Sequence, residues 1–136
     1  MTTPIPELVP IQRDSDVVTA RRIGRDMAKT IGFGTADQTR LATAISELTR
    51  NVIKYAGEGE CTIFNESDTT HNRIRVVVED HGPGIPDIEE AMEDGYTTGG
   101  TLGAGLPGTR RLVSEFNIES KPGLTRVEIA MEKQVW

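Results

Sequence analysis

Cysteine occurs once in this 136-residue sequence, at Cys61, which excludes an intrachain disulfide and leaves no CxxC pair or Cys/His cluster for zinc. Aromatic residues make up only 4% and hydrophobic residues 36%, so the core has to be modest and aliphatic. No apolar run approaches the roughly 18–20 residues that span a bilayer. The opening MTTPIPELVP lacks the basic start and apolar stretch of a secretory signal. Positive charge is short as well: 15 Lys+Arg face 21 Asp+Glu, a formal net charge of −6 and a pI near 4.9. That surplus of acid argues against a nucleic-acid binder that neutralises phosphates and against a polybasic membrane module. GKS and GKT are absent, so there is no Walker A loop. No nucleophilic triad suggests itself, with His71 in a polar turn and His81 in a glycine loop. The expectation is one soluble, cytoplasmic domain over residues 1–136.

What the sequence does have is glycine, and eight of its 14 fall between Gly82 and Gly108. Around that cluster the periodicity predicts an α+β chain. Glu7 to Gln12 reads as an edge strand. Asp14 or Ser15 caps a helix with apolar positions at Val17, Ala20, Ile23, Gly24, Met27, Ala28 and Ile31, and Gly32 stops it. Thr35 caps a second helix to about Ala56, ended by Gly57, with the stripe Leu41, Ala44, Ile45, Leu48, Val52 and Tyr55. Strands are expected over Cys61–Glu66 and the β-branched run Arg73–Glu79, and a short helix over Asp87–Glu93. Pro107 suits the first turn of a third helix reaching about Glu115. Asn117–Ser120, the turn KPG and Thr125–Glu132 form a closing hairpin.

Three blocks can carry chemistry. On the second helix, Asn51 lies roughly 80° and Glu47 roughly 120° from the centre of the apolar stripe, on the same border. An amide oxygen there suits Mg²⁺ shared with substrate phosphates, and a carboxylate can orient or deprotonate a hydroxyl. The same residues, with Arg50 and Lys54, also describe an ordinary solvated helix face. Asp80, in EDHGPGIP, stands where a buried strand gives way to a loop. It can accept from an exocyclic amine such as that of adenine, with Gly82 and Gly84 letting the backbone approach a flat base; a plain turn is the alternative. Gly103, Gly105 and Gly108 spell G-x-G-x-x-G, but a loop and not a strand precedes them, against a dinucleotide fingerprint. What remains is a glycine loop feeding a helix N-terminus, able to offer N–H groups to phosphates, or a surface loop.

Taken jointly, AISELTRNVIKYA, EDHGPGIPD and TTGGTLGAGLPG resemble, in order and spacing, the ATP-binding boxes of the GHKL (Bergerat-fold) superfamily. The resemblance spans about residues 10 to 130. The strings ARRIGRDMAKTIGFGTADQTRLATAISELTRN, GPGIPDIEEAMEDGYTT and LGAGLPGTRRLVSEF are similar to the RsbT-type serine/threonine kinases of the bacterial stressosome. The resemblance implies a two-layer α/β sandwich, a mixed, mostly antiparallel sheet with helices on one face and a glycine-rich ATP lid. It implies ATP and Mg²⁺ as cofactors, STAS-domain proteins as substrates and captors, and a PP2C-type phosphatase as target. Glu47 would be the catalytic carboxylate, Asn51 the Mg²⁺ ligand and Asp80 the adenine-amine acceptor. Gly82, Gly84 and Ile85 would shape the base pocket, and Gly103, Ala104, Gly105 and Leu106 would belong to the lid. Lys54 would contact phosphate.

The sequence departs from the family at Gly100-Thr101-Leu102, where glycine more often runs straight into LGAGLP. It departs again in KPGLTRVEI, where a Gly-Thr pair usually precedes the last strand; Thr125 is expected to take that threonine's role. Two other classes stay open: an anti-sigma factor that grips its sigma factor directly, and a non-catalytic module whose docking is gated by nucleotide. A histidine kinase would need a dimerisation hairpin, and a gyrase-type ATPase a transducer domain, for which 136 residues leave no room.

Overall fold

Strict alternation in the strands decides the architecture. A computed structural model describes residues 4–85, 92 and 105–135. In it Cys61 and Ile63, then Ile74, Val76 and Val78, then Val127, Ile129 and Met131 are all buried at every second position, so each strand turns one apolar face to the same side. The elements run β1 (Glu7–Ile11), α1 (Asp14–Ile31), α2 (Thr35–Ala56), β2 (Gly59–Asn65), β3 (His71–Asp80), α3 (Gly105–Leu112), β4 (Glu115–Lys121) and β5 (Leu124–Gln134). The sheet order is β1-β2-β3-β5-β4. Every described pairing is antiparallel, so where a mixed sheet was expected, the described strands form an antiparallel one.

Register builds the core in rows. Val9, Cys61, Val78, Val127 and Ile118 form one row across all five strands, and Ile63, Val76, Ile129 and Phe116 form the next. The helices close over these rows with Ala20 and Ala28 of α1 and Leu41, Ala44, Ile45, Leu48 and Val52 of α2. The two long helices approach closely because Gly24 has no side chain: a Cβ there would run into Ile45 Cδ1. The α3 helix packs against α2. Tyr55, placed on the α2 stripe by its spacing, is 45% exposed in the last turn of the helix.

Helix ends differ from the expected caps in detail. Arg13, not Asp14 or Ser15, stands at the N-cap of α1, and Asp16 reaches back to accept from the N–H groups of Gln12 (2.9 Å) and Arg13 (3.1 Å). This satisfies donors that the helix itself leaves unpaired. Gly34 caps α2, and Thr35 is its first residue. Gly32 and Gly57 end the two helices as expected, with φ of 119° and 86°. The third helix stops at Leu112, because Glu115 already begins β4. The helix expected over Asp87–Glu93, apart from Met92, and most of the glycine-rich segment ahead of α3 lie outside the described residues.

The opposite face of the sheet is ionic. Glu66 bridges Arg73 Nε (3.2 Å) and Arg75 Nε (2.7 Å), Arg75 continues to Glu128 (2.7 Å), and Arg73 to Glu115 (2.6 Å). Partial burial pushes the Glu66 carboxyl up, but hydrogen bonds from Arg75 and Arg73, and their charges, outweigh it and hold the group below the usual carboxylate range.

Removing Ile45, which is fully buried, leaves a cavity between α1, α2 and the sheet; Ile45→Ala is expected to cost about 2–5 kcal/mol in urea denaturation. Because the folded-state pKa of Glu66 is lowered, its contribution is complete above the ordinary carboxylate value of about 4.3. It is lost as pH falls through the lowered value. Glu66→Gln is therefore expected to flatten the stability profile below that pH, and an unchanged acid limb would refute the assignment.

Candidate functional site

The α2 helix supplies core and site from one stretch of sequence. Glu47 is 7% exposed, and its Oε1 meets Arg50 Nη1 at 3.2 Å. Asn51 is half-buried and, among the described residues, its side-chain amide makes no hydrogen bond. At about 1.5 Å rise per residue, Asn51 lies about 6 Å along the axis from Glu47, and Ala56 about 7.5 Å further. Lys54 is exposed, its ammonium 5.2 Å from the centroid of the Tyr55 ring.

Ala56 is where α2 meets the glycine loop. A Cβ on Gly82 would fall 2.6 Å from Ala56 Cβ and 3.2 Å from Asp80 Oδ1. Gly82 is thus the residue that lets the loop lie against the helix end beside the carboxylate. The glycine was expected to make room for a flat ligand; in the described structure the space it frees is taken by Ala56. Gly84 is the loop's one left-handed residue, with φ +84°, and a Cβ there would lie 2.6 Å from the Lys121 carbonyl oxygen. Conformation and close approach both demand glycine.

Asp80 ends β3 on the helix-facing side, 9% exposed. Its Oδ1 accepts from the Gly82 N–H at 2.9 Å. In register, Asp80 is flanked by Gly59 on β2 and Thr125 on β5. The neighbour on β4 is Ser120. The row that begins Ile11, Gly59, Asp80 therefore ends in two hydroxyls, polar where the adjacent rows are hydrocarbon. Gly59 is needed in this row, since a Cβ there would stand 2.8 Å from Val52 Cγ1 and 3.2 Å from Asp80 Cβ.

The β4–β5 hairpin clasps the loop from the other side. Gly123 N–H donates to the Gly82 carbonyl (2.9 Å), and His81 Nδ1 lies 3.2 Å from the Gly123 carbonyl. Ile85 N–H donates to Ser120 Oγ (2.7 Å), which in turn is 2.7 Å from Thr125 Oγ1. Ser120 and Ala56 escaped the sequence reading. Ser120 had a signal, however: Phe116, Ile118 and Ser120 alternate on one face, and a hydroxyl in that series is out of character.

Asp80, Gly82, Gly84, Ile85 and Thr125 are thus gathered at one end of the sheet, and the Ala56–Gly82 contact joins them to the helix of Asn51 and Glu47. The α3 helix begins at Gly105, with Leu106, Pro107 and Thr109 buried. Gly103 and Ala104 lie outside the described residues. Among the described residues no group of three or more His, Cys, Asp or Glu could hold a metal ion. A cation at Asn51 would therefore share its shell with a ligand, and an unbonded amide oxygen beside a buried carboxylate fits Mg²⁺ held largely by phosphate oxygens and water. No described helix is long and apolar enough to cross a membrane.

The chain is similar to known proteins. Residues 36–134 match the family described as histidine kinase-, DNA gyrase B- and HSP90-like ATPase. The serine/threonine-protein kinase RsbT of Bacillus subtilis (strain 168) is 51% identical over 115 residues, 85% of this chain and 86% of that protein. An anti-sigma F factor of Caldanaerobacter subterraneus subsp. tengcongensis is 33% identical over 87 residues, 61% of each chain. The crystal structure of the RsbU and RsbW domains of a Mycobacterium tuberculosis protein superposes with a TM-score of 0.67 at 19% identity, covering 96% of this chain and 33% of that one. The catalytic domain of histidine kinase ThkA gives 0.56 at 20% identity, covering 92% and 95%. These two likenesses speak for the fold.

Gly84→Val is expected to destabilise the chain by about 1–3 kcal/mol, since it forces a β-branched residue into a left-handed conformation. Urea denaturation measures it, and a neutral substitution would mean that the loop does not hold this geometry.

Proposed function

The chain belongs to the histidine kinase-, DNA gyrase B- and HSP90-like ATPases and, within them, to the RsbT-type serine/threonine-protein kinases, and from that premise we propose how its residues bind ATP and which proteins it phosphorylates. The adenine amine donates to Asp80, with Thr125 beside it on the next strand and the Gly82–Ile85 loop over the base. The triphosphate runs along α2 toward Asn51, whose amide oxygen would hold Mg²⁺ there. The N-terminus of α3, from Gly105 and Leu106, offers backbone N–H groups to the same phosphates. The roles given to Gly103, Ala104 and Lys54 rest on the sequence resemblance.

Bound Mg²⁺ would neutralise charge on the β- and γ-phosphates. The chain's own part is to position and to take a proton. Glu47 accepts the proton of a seryl or threonyl hydroxyl as its oxygen attacks the γ-phosphorus. The bond between that phosphorus and the bridging oxygen breaks, and ADP leaves with the electron pair. Burial keeps the Glu47 carboxylate on the cleft border, and its contact with Arg50 restricts its rotamers.

The substrates we propose are STAS-domain proteins that hold the kinase captive; phosphorylation releases it to activate a PP2C-type phosphatase in the cytoplasm, in a bacterial stress response. One observation carries the site reading above the others. The loop that follows Asp80 is packed directly on the end of the helix bearing Asn51 and Glu47, so one ligand of nucleotide length can touch both. The similarity to anti-sigma F factors supports a second reading, in which the chain grips a sigma factor, and a further one makes it a nucleotide-gated docking module without transfer.

Labelled γ-phosphate is expected to pass from ATP to a STAS partner, and Glu47→Ala to lower transfer at least about 100-fold while ATP still binds. Unchanged transfer in Glu47→Ala would remove it from the catalytic role, and capture of a sigma factor without transfer would favour the second reading.

A further inference from the structure

The two carboxylate oxygens of Glu47 are not equivalent. The side chain is buried, and its Oε1 accepts from Arg50 Nη1 at 3.2 Å, whereas Oε2 makes no hydrogen bond among the described residues. The helix sets the neighbours on opposite flanks of the glutamate. At about 100° per residue, Asn51 lies about 40° from Glu47 toward the apolar stripe, and Arg50 about 60° the other way, toward solvent. The Arg50 side chain is accordingly 50% exposed. With Oε1 drawn outward to the guanidinium, Oε2 is the oxygen left on the inner side, where Asn51 lies. Several torsions set where a glutamate carboxylate points, each with its own staggered wells. Arg50, one turn further along α2, is the group that narrows that choice.

We propose that Arg50 is a positioning residue for phosphoryl transfer, holding Oε1 of Glu47 so that Oε2 is the atom that takes the proton. The proposal rests on the reading of Glu47 as the base. In the step, the seryl or threonyl proton moves to Oε2 and the hydroxyl oxygen bonds to the γ-phosphorus. The bond from that phosphorus to the bridging oxygen breaks, and its electron pair leaves on ADP. Without the Arg50 contact the carboxylate samples rotamers in which Oε2 does not face the hydroxyl, and a misplacement of about 1 Å can cost about 100-fold in rate. Stability does not explain the pair. With the guanidinium half in solvent, an ion pair three residues apart on one helix contributes little to folding. The contact is also made through one nitrogen to one oxygen. A lysine ammonium can serve such a single contact as a point donor, where a two-pronged one would demand arginine.

Initial rates of labelled γ-phosphate transfer from ATP to a STAS-domain protein test the proposal in Arg50→Ala, Arg50→Lys, Glu47→Ala and the double variant Arg50→Ala/Glu47→Ala. Arg50→Ala is expected to lower kcat about tenfold, with ATP affinity in direct binding and the urea midpoint unchanged. Arg50→Lys is expected to recover most of the loss. In the Glu47→Ala background, adding Arg50→Ala is expected to change the rate less than about twofold, because a residue that acts only through Glu47 then has nothing to position. A structural role would move the urea midpoint, and a direct contact with the phosphates or with the protein substrate would persist without Glu47. The proposal is overturned if Arg50→Ala leaves kcat unchanged, if its loss falls on ATP affinity, if Arg50→Lys is as slow as Arg50→Ala, or if the loss is as large without Glu47 as with it. In each of these cases a Glu47→Ala defect keeps Glu47 as the base. If Glu47→Ala itself leaves transfer unchanged, the reading of Glu47 fails and the role of Arg50 fails with it.

Discussion

A polar row laid across the end of an otherwise hydrocarbon sheet face is the constraint on which the rest of this structure turns. Asp80, Thr125 and Ser120 occupy inward positions on three adjacent strands, and two residues further along, on the same face, their counterparts are Val78, Val127 and Ile118. Burying such groups unbonded is costly, so their partners have to be supplied locally. Gly82 supplies an N–H to Asp80, Ile85 supplies one to Ser120, and the two hydroxyls satisfy each other. The turn after β3 is therefore shaped by hydrogen-bond satisfaction as much as by chain reversal. The described part of that loop, Gly82–Ile85, thus forms a wall at the end of the sheet.

The α2 helix meets that wall and carries the remainder of the site. Its buried stripe from Leu41 to Val52 anchors it on the sheet, and Glu47 and Asn51 sit on the border of the stripe, one turn apart. Their height above the sheet is set by packing deep in the core, at Gly24 against Ile45 and Gly59 against Val52. Core and chemistry share one rigid element, so a change that tilts α2 also moves the carboxylate and the amide. The kinase assignment follows from the family, and the proposed roles of these side chains follow from where that element holds them.

Much of the architecture was legible in the residues. Helical spacing located α1 and α2 almost to their ends, because a stripe repeated over four or more turns is hard to mistake, and Gly32 and Gly57 marked their stops. Alternation found the strands. The misses are local: Arg13 and Gly34 stand at the helix starts, since the chain satisfied its first N–H groups through Asp16 or otherwise and did not use the expected hydroxyls. Tyr55 had the right spacing but is exposed in the last turn of the helix. Glu115 was counted as helix although it starts a strand, a boundary decided by pairing with Ala130 across the hairpin. The site was legible in part. Glu47, Asn51 and Asp80 stood out by type and place, whereas Ala56 and Ser120 are ordinary residues whose importance lies in what they touch.

The sequence by itself determined the class of fold and, with a single cysteine, the absence of an intrachain disulfide, because each depends on composition or on short-range spacing. Tertiary structure decided which residues become neighbours. KPGLTRVEI departs from the Gly-Thr pair that usually precedes the last strand, and it is strand pairing that sets Thr125 opposite Asp80. Gly82 and Gly84 look alike in sequence, but one clears Ala56 and the other clears Lys121 and takes a left-handed turn. The physical reason is the same in each case. Register and packing join residues that lie far apart along the chain, as Ala56 and Gly82, Gly84 and Lys121, and Asp80 and Thr125 do, and no local pattern records which partner a side chain will meet.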